Sequence, residues 1–201
     1  EIGLPERIED LDKPFLAVAT DMSTGREVWL QEGPLIPAIR ASISIPGVFS
    51  PCSHEGRWLL DGGLINPVPT SACRALGASC TIAVNPNAKT GPTLWSPSEQ
   101  TPFLERIGGE GLRGYLPESV ASWLAEPPEE KGPAVMDVVS TSIDILTEFL
   151  RASRAAVDPA DVLLEADLAH LSVMELFRAA EAIAEGHRIV DAAQEALGAV
   201  R

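Results

Sequence analysis

Asp61 is the residue in this chain best placed to accept a proton. It closes the run Trp58-Leu59-Leu60-Asp61 and is followed by Gly62 and Gly63. A short apolar run of this kind reads as a strand, so the carboxylate stands at a strand end, on a turn where glycine lets other groups approach closely. Partial desolvation there raises a carboxylate's proton affinity, and within hydrogen-bond reach of a hydroxyl it can act as general base. The same tripeptide is also common turn chemistry. Its surroundings have to decide between the two uses.

Other candidates are weaker. Gly77-Ala78-Ser79-Cys80-Thr81 matches a Gly-x-Ser-x-Gly nucleophile elbow at its first glycine and its serine, but threonine takes the last position. It also leads from a helix into a strand, whereas the elbow runs from strand to helix. Ser79 is therefore read as a loop residue. A Ser, Asp, His chain order would let His170 or His187 follow Asp61 as a triad base. His187 falls on the apolar stripe of the last helix, a poor place for a mobile base; His54 sits in a polar turn and His170 near a helix start. No histidine pair has metal-ligand spacing, and Cys52, Cys73 and Cys80 lack the paired spacing of a zinc site. They read as reduced thiols, and no metal or cofactor is expected.

The elements that must position Asp61 follow from periodicity. Pro14 to Thr20 is a compact apolar run that suits a buried strand, Asp21 to Gly25 is turn chemistry, and Arg26 to Leu30 alternates like a hairpin partner. Gly33-Pro34 opens a helix through about Ser44, ended by Pro46-Gly47. Arg57 to Leu60 is the strand carrying Asp61. Thr70 to Leu76 is a helix closed by Gly77, and Thr81 to Val84 is another buried strand. Residues 86–133 hold eight of the 17 prolines and read as a surface excursion or lid, with a short helix near Glu118 to Leu124. Ala134 to Ala155 is an amphipathic helix, Val162 to Glu165 a short strand, and Val173 to Val200 one long helix with Leu176, Ala180, Ile183, His187, Val190 and Leu197 on one face. Strands alternating with helices imply an α/β layered fold.

Composition bounds the partners. The 201 residues suffice for one domain with a core. A net charge of −14 repels nucleic-acid phosphates and disfavours electrostatic docking on anionic lipid, leaving transient apolar contact with a membrane surface open. No apolar run approaches the roughly 18 residues of a spanning helix, and no signal-peptide pattern opens the chain. The expected location is cytoplasmic, with peripheral membrane association open.

Two segments carry a family resemblance. Ala41-Ser42-Ile43-Ser44-Ile45-Pro46-Gly47-Val48-Phe49 and Asp61-Gly62-Gly63-Leu64-Ile65-Asn66-Pro67-Val68-Pro69, with the following Ala75-Leu76-Gly77-Ala78, resemble the patatin-like phospholipases of the bacterial group related to neuropathy target esterase. The likeness covers about residues 14 to 85. It implies a patatin-like α/β fold with a central, mainly parallel sheet flanked by helices. It implies that residues 1–201 form the C-terminal part of one such domain, with 134–201 its helical end and the family's serine motif upstream. By the same resemblance Asp61 is the proton acceptor of a Ser-Asp dyad, Gly62 and Gly63 complete its motif, and the substrate is a phospholipid, lysophospholipid or other fatty-acyl ester. On this reading the fragment alone lacks turnover. Gly108-Gly109-Glu110-Gly111-Leu112-Arg113-Gly114 resembles the family's oxyanion loop, but no elbow follows it, so it is read as part of the excursion. The alternative is a non-catalytic binding or regulatory protein on the same fold. Oligomeric state is not readable.

Overall fold

A computed structural model describes residues 3–86, 135–168, 170–171 and 176–200. The excursion, its short helix and its glycine-rich loop lie almost wholly outside these residues. Strand β1 (Ala17–Asp21) and β2 (Glu27–Leu30) form an antiparallel hairpin in which Ala17 faces Leu30 and Thr20 faces Glu27. Helix α1 spans Leu35–Ser42. Strand β3 (Cys52–His54) turns through Glu55 and Gly56 into β4 (Arg57–Asp61). Both turn residues have positive φ, 49° and 76°, the backbone that a two-residue hairpin loop of right-handed twist requires. β4 pairs antiparallel with β1, giving the order β2-β1-β4-β3.

Helix α2 (Thr70–Ala75) leads to β5 (Ile82–Asn85). Helix α3 (Val135–Val157) leads to β6 (Val162–Glu165), which pairs with β5 in a second sheet. The Val162 N–H donates to the Thr81 carbonyl and the Ala166 N–H to the Asn85 carbonyl, so both strands advance together and run parallel. A 3-10 turn at Leu176–Arg178, α4 (Ala179–Ala192) and α5 (Gln194–Ala199) follow. Contacts divide the chain at 83/84, 146/147 and 163/164 into two compact units.

The core explains the sheet's order. The pairing puts Ala17, Ala19, Val28, Leu30 and Leu59 on one face, and Leu35, Ala38 and Ala41 of α1 join them in a single cluster. These α1 positions recur every three residues, while Ile36 stays 59% exposed. Alanines on both partners let helix and sheet approach closely. Leu59 at the centre is fully buried and contributes roughly 1.5–3 kcal/mol by its removal from water. All five residues of β1 are buried, as a strand flanked by two others should be.

Several expectations change. The α/β class holds, but the four-stranded sheet is antiparallel rather than mainly parallel: its two hairpins have links too short for a crossover helix. His54 lies in β3, not in a turn. α1 ends at Ser42, short of Pro46, and a separate turn places the Val48 and Phe49 N–H groups on the Ile45 carbonyl. The expected single C-terminal helix is interrupted at Ala193, and the stripe through His187 is not buried: Ile183 is 61% and Val190 41% exposed, His187 is exposed, and Ile189 is the buried residue. α3 occupies its expected span, with Leu146 and Phe149 exposed.

Candidate active site

Asp61 leaves the sheet with its backbone held from outside the strand ladder. Its N–H donates to the Ser44 carbonyl at 3.0 Å, and its own carbonyl accepts the Thr20 hydroxyl at 2.8 Å. The side chain then caps the 3-10 turn Gly62–Leu64, Oδ1 accepting the Gly63 N–H at 2.7 Å. Among the described residues no hydrogen bond engages Oδ2. Burial outweighs that single donor and pushes the Asp61 carboxyl above the ordinary carboxylate range. Geometry and electrostatics thus give a half-buried carboxylate with a raised proton affinity and one oxygen left to meet a partner.

The glycines have separate causes. A Cβ on Gly62 would stand 2.2 Å from the Val18 carbonyl oxygen, so the turn reaches over β1 only because that position has no side chain. A Cβ on Gly63 would stand 2.8 Å from Asp61 Oδ1, displacing the carboxylate from the amide it accepts. The motif is therefore a backbone pressed on β1 and a carboxylate folded onto its own turn.

The second motif segment works through its ends. Ser44 is fully buried, and its Oγ donates to the Arg40 carbonyl at 2.9 Å while accepting Arg40 Nη1 at 2.7 Å. Arg40 Nη2 reaches the Ser50 carbonyl at 2.9 Å, and the guanidinium lies 5.1 Å from the Phe49 ring centre. These contacts hold the link between α1 and β3, and with it the carbonyl that receives the Asp61 N–H.

Asn66, 3% exposed, fixes the far side of the turn. Its N–H donates to the Gly62 carbonyl, and Nδ2 donates to Glu27 Oε1 at 2.9 Å. Glu27 also accepts Trp29 Nε1 at 2.6 Å and Arg154 Nη2 at 3.3 Å. Further along, Arg74 pairs with Asp158, and Thr70 donates to the Asp158 carbonyl at 2.9 Å, tying α2 to the end of α3. Thr20, Ser44, Arg40 and Glu27 were not singled out as site residues by sequence reasoning; a hydroxyl inside an apolar strand was the one signal available for Thr20.

Ser79 lies exposed in the loop between α2 and β5, the helix-to-strand context its sequence implied. His170 Nε2 stands 3.6 Å from Glu181. Among the described residues no group of three or more His, Cys, Asp or Glu gathers as a metal site, and no helix is long and apolar enough to cross a membrane.

Comparison with known proteins places this geometry in context. The sequence model of the patatin-like phospholipase family matches residues 5–74, which include both motif segments. An uncharacterized NTE family protein of Mycobacterium tuberculosis is 32% identical over 236 residues, covering 96% of this chain and 66% of the relative. A patatin-like phospholipase domain-containing protein of Caenorhabditis elegans is 44% identical over 78 residues, 38% of this chain and 6% of the relative. Patatin-like phospholipase domain-containing protein 7 of Rattus norvegicus is 36% identical over 81 residues, 39% of this chain and 6% of the relative. The chain thus spans 66% of the length of that mycobacterial relative.

Proposed function

The chain belongs to the patatin-like phospholipase family, and from that premise we propose that it contributes the general base of a lipid carboxyl-ester hydrolase. The observation that carries the reading is Asp61 itself, a strand-end carboxylate with raised proton affinity and one oxygen occupied by the Gly63 amide. In the proposed reaction a serine supplied outside residues 1–201 attacks the ester carbonyl carbon. Its proton passes to Asp61 as the bond to carbon forms. The tetrahedral intermediate collapses to an acyl-serine, and the alcohol, a lysolipid or glycerol headgroup, leaves with the proton from Asp61. Water then repeats the sequence: Asp61 takes its proton, hydroxide adds to the acyl carbon, and the serine leaves reprotonated with release of the fatty acid.

The raised proton affinity suits both halves of this cycle, since a stronger base takes the serine proton more readily and still returns it to the leaving group. The Gly63 hydrogen bond keeps the carboxylate from rotating away. By this reading Gly62 and Gly63 belong to the site as shape rather than chemistry. The substrate class is fatty-acyl ester, with contact at a lipid surface during turnover and no metal in the cycle.

The test is Asp61→Asn in the full-length protein, assayed on phospholipid and on a long-chain p-nitrophenyl ester. Turnover should fall by roughly 10²–10⁴-fold, the loss typical of removing a general base. Wild-type rates in a folded Asp61→Asn protein would reject the dyad. Absence of turnover by the wild-type protein on every acyl ester would favour a non-catalytic role for the fold.

A further inference from the structure

We propose that Thr20 and the Arg40–Ser44 pair are positioning residues for Asp61, fixing its backbone so that the carboxylate meets its proton donor in one orientation. The inference rests on the reading of Asp61 as the base. It comes from a peculiarity of the strand end. Asp61 lies opposite Ala19 in the register as a pair that exchanges no backbone hydrogen bonds, so its N–H and carbonyl look away from β1's backbone; the N–H goes to Ser44 and the carbonyl to the Thr20 side chain. On that side β3 pairs with β4 only as far as Leu59, so no strand is there to receive the peptide groups of Asp61. Two contacts from distant parts of the chain do so instead.

Each replacement is itself held. Thr20 is 7% exposed in the central strand, where a β-branched residue has few rotamers to choose from. Its hydroxyl has a fixed direction at the Asp61 carbonyl. Ser44 is fully buried, and its hydroxyl is clasped by both the carbonyl and the guanidinium of Arg40. Arg40 is braced in turn by the Ser50 carbonyl and the Phe49 ring. The carboxylate's own turn adds the Gly63 amide, which fixes the side chain relative to the backbone, and the packing of Gly62 on β1, which places the turn but leaves the Asp61 N–H and carbonyl to Ser44 and Thr20. Loosening Thr20 or Arg40 should let the Asp61 peptide swing while the proton affinity set by burial is kept. Sub-ångström to ångström displacement of a reacting group costs up to about 10²-fold in rate.

The experiment uses the full-length protein and compares Thr20→Val, which keeps the shape and removes the hydroxyl, with Thr20→Ser, which keeps the hydroxyl. Expected is a fall of roughly 10- to 100-fold in kcat for Thr20→Val with KM little changed, and near-recovery in Thr20→Ser. Arg40→Met, at a half-buried position, should lower kcat in the same way and covers the outcome in which Thr20→Val does not fold. The distinguishing arm repeats Thr20→Val and Arg40→Met in an Asp61→Asn background. Positioning predicts that neither lowers the residual rate further, because there is no base left to misplace, whereas a general structural role costs the same in both backgrounds. Equal losses in the two backgrounds, or wild-type kcat in folded single variants, would overturn the positioning role. Full activity of Asp61→Asn alone would instead overturn the base, a different failure with a different signature.

Discussion

Two aspartates end neighbouring antiparallel strands in this molecule, and their turns treat them in opposite ways. Asp21 closes β1 and is followed by Met22, Ser23 and Thr24; Asp61 closes β4 and is followed by two glycines. Asp21 Oδ1 accepts three hydrogen bonds, from the Ser23 N–H at 2.8 Å, the Ser23 hydroxyl at 2.6 Å and the Thr24 N–H at 3.2 Å. Those donors, the Ser23 hydroxyl first, hold its carboxyl below the ordinary carboxylate range. Asp61 receives one amide, and burial pushes it the other way. The number of donors sets the difference: two amides and the Ser23 hydroxyl stabilise the Asp21 anion, while the half-buried Asp61 carboxylate receives the Gly63 amide and, with no side chain on either glycine, no hydroxyl from its turn. One fold thus makes a structural acid and a candidate base from the same side chain.

The comparison breaks hardest at Gly62. An alanine Cβ there would collide with the Val18 carbonyl of the central strand, which has no flexible end to yield. Gly62→Ala should lower unfolding free energy by about 3 kcal/mol, the upper part of the range for overpacking a filled site, read as a drop in urea midpoint. The Asp21 turn offers a control without such a contact: a Cβ on Gly25 meets nothing within 4 Å, though its positive φ of 64° carries a milder strain. Gly25→Ala should therefore cost clearly less than Gly62→Ala. Equal losses would mean that the Asp61 turn is not pressed on β1 as described.

A smaller effect is expected at Asp21. Its lowered pKa means that ionised Asp21 adds stability, present in full above about pH 4, the ordinary aspartate value, and lost as pH falls through its folded value. Asp21→Asn should lower the urea midpoint at pH 7, and the deficit should shrink as the pH is taken below about 4. A deficit of the same size at pH 7 and pH 3 would show that the side-chain shape matters and the charge does not.

How much of this was readable from the chain differs between the two turns. The Asp21 turn is legible, since Asp-x-Ser-Thr-Gly carries its donors within three residues. The Asp61 turn is legible in part: strand, carboxylate and glycines are contiguous, and the motif segments match a family. Its supports are not. Thr20 and Ser44 lie 41 and 17 positions away in sequence and meet Asp61 only because β1 pairs with β4 and the segment after α1 folds back to the strand end. β3 is not legible because Cys-Ser-His carries no alternating apolar pattern; its hairpin turn and its partner β4 make it a strand. The C-terminal stripe failed for a related reason. Periodicity locates an apolar face but not a partner for it, and Ile183 and Val190 are exposed on α4. Nothing in the structure explains the interruption at Ala193.

The smallest effect, and the one that separates the two aspartates most cleanly, is the stability of Asp61→Asn. An acid whose folded pKa is raised costs stability when ionised: its favourable contribution is present below the unfolded value and is lost as pH rises through the folded value. Asparagine keeps an oxygen for the Gly63 amide and carries no charge to desolvate. Asp61→Asn should therefore be slightly more stable than the wild type at pH 8, with the advantage fading as pH falls and gone below about pH 4, where aspartate is protonated folded or unfolded. Because the side chain is only half-buried, water screens part of the penalty, and the gain should be modest. Urea midpoints of both proteins at pH 8 and pH 3.5 check it. The sign is opposite to that of Asp21→Asn at neutral pH, so both variants in one titration series test the contrast directly. A destabilised Asp61→Asn at pH 8 would mean that its anion is held as firmly as that of Asp21, and the case for Asp61 as a base would lose its electrostatic support.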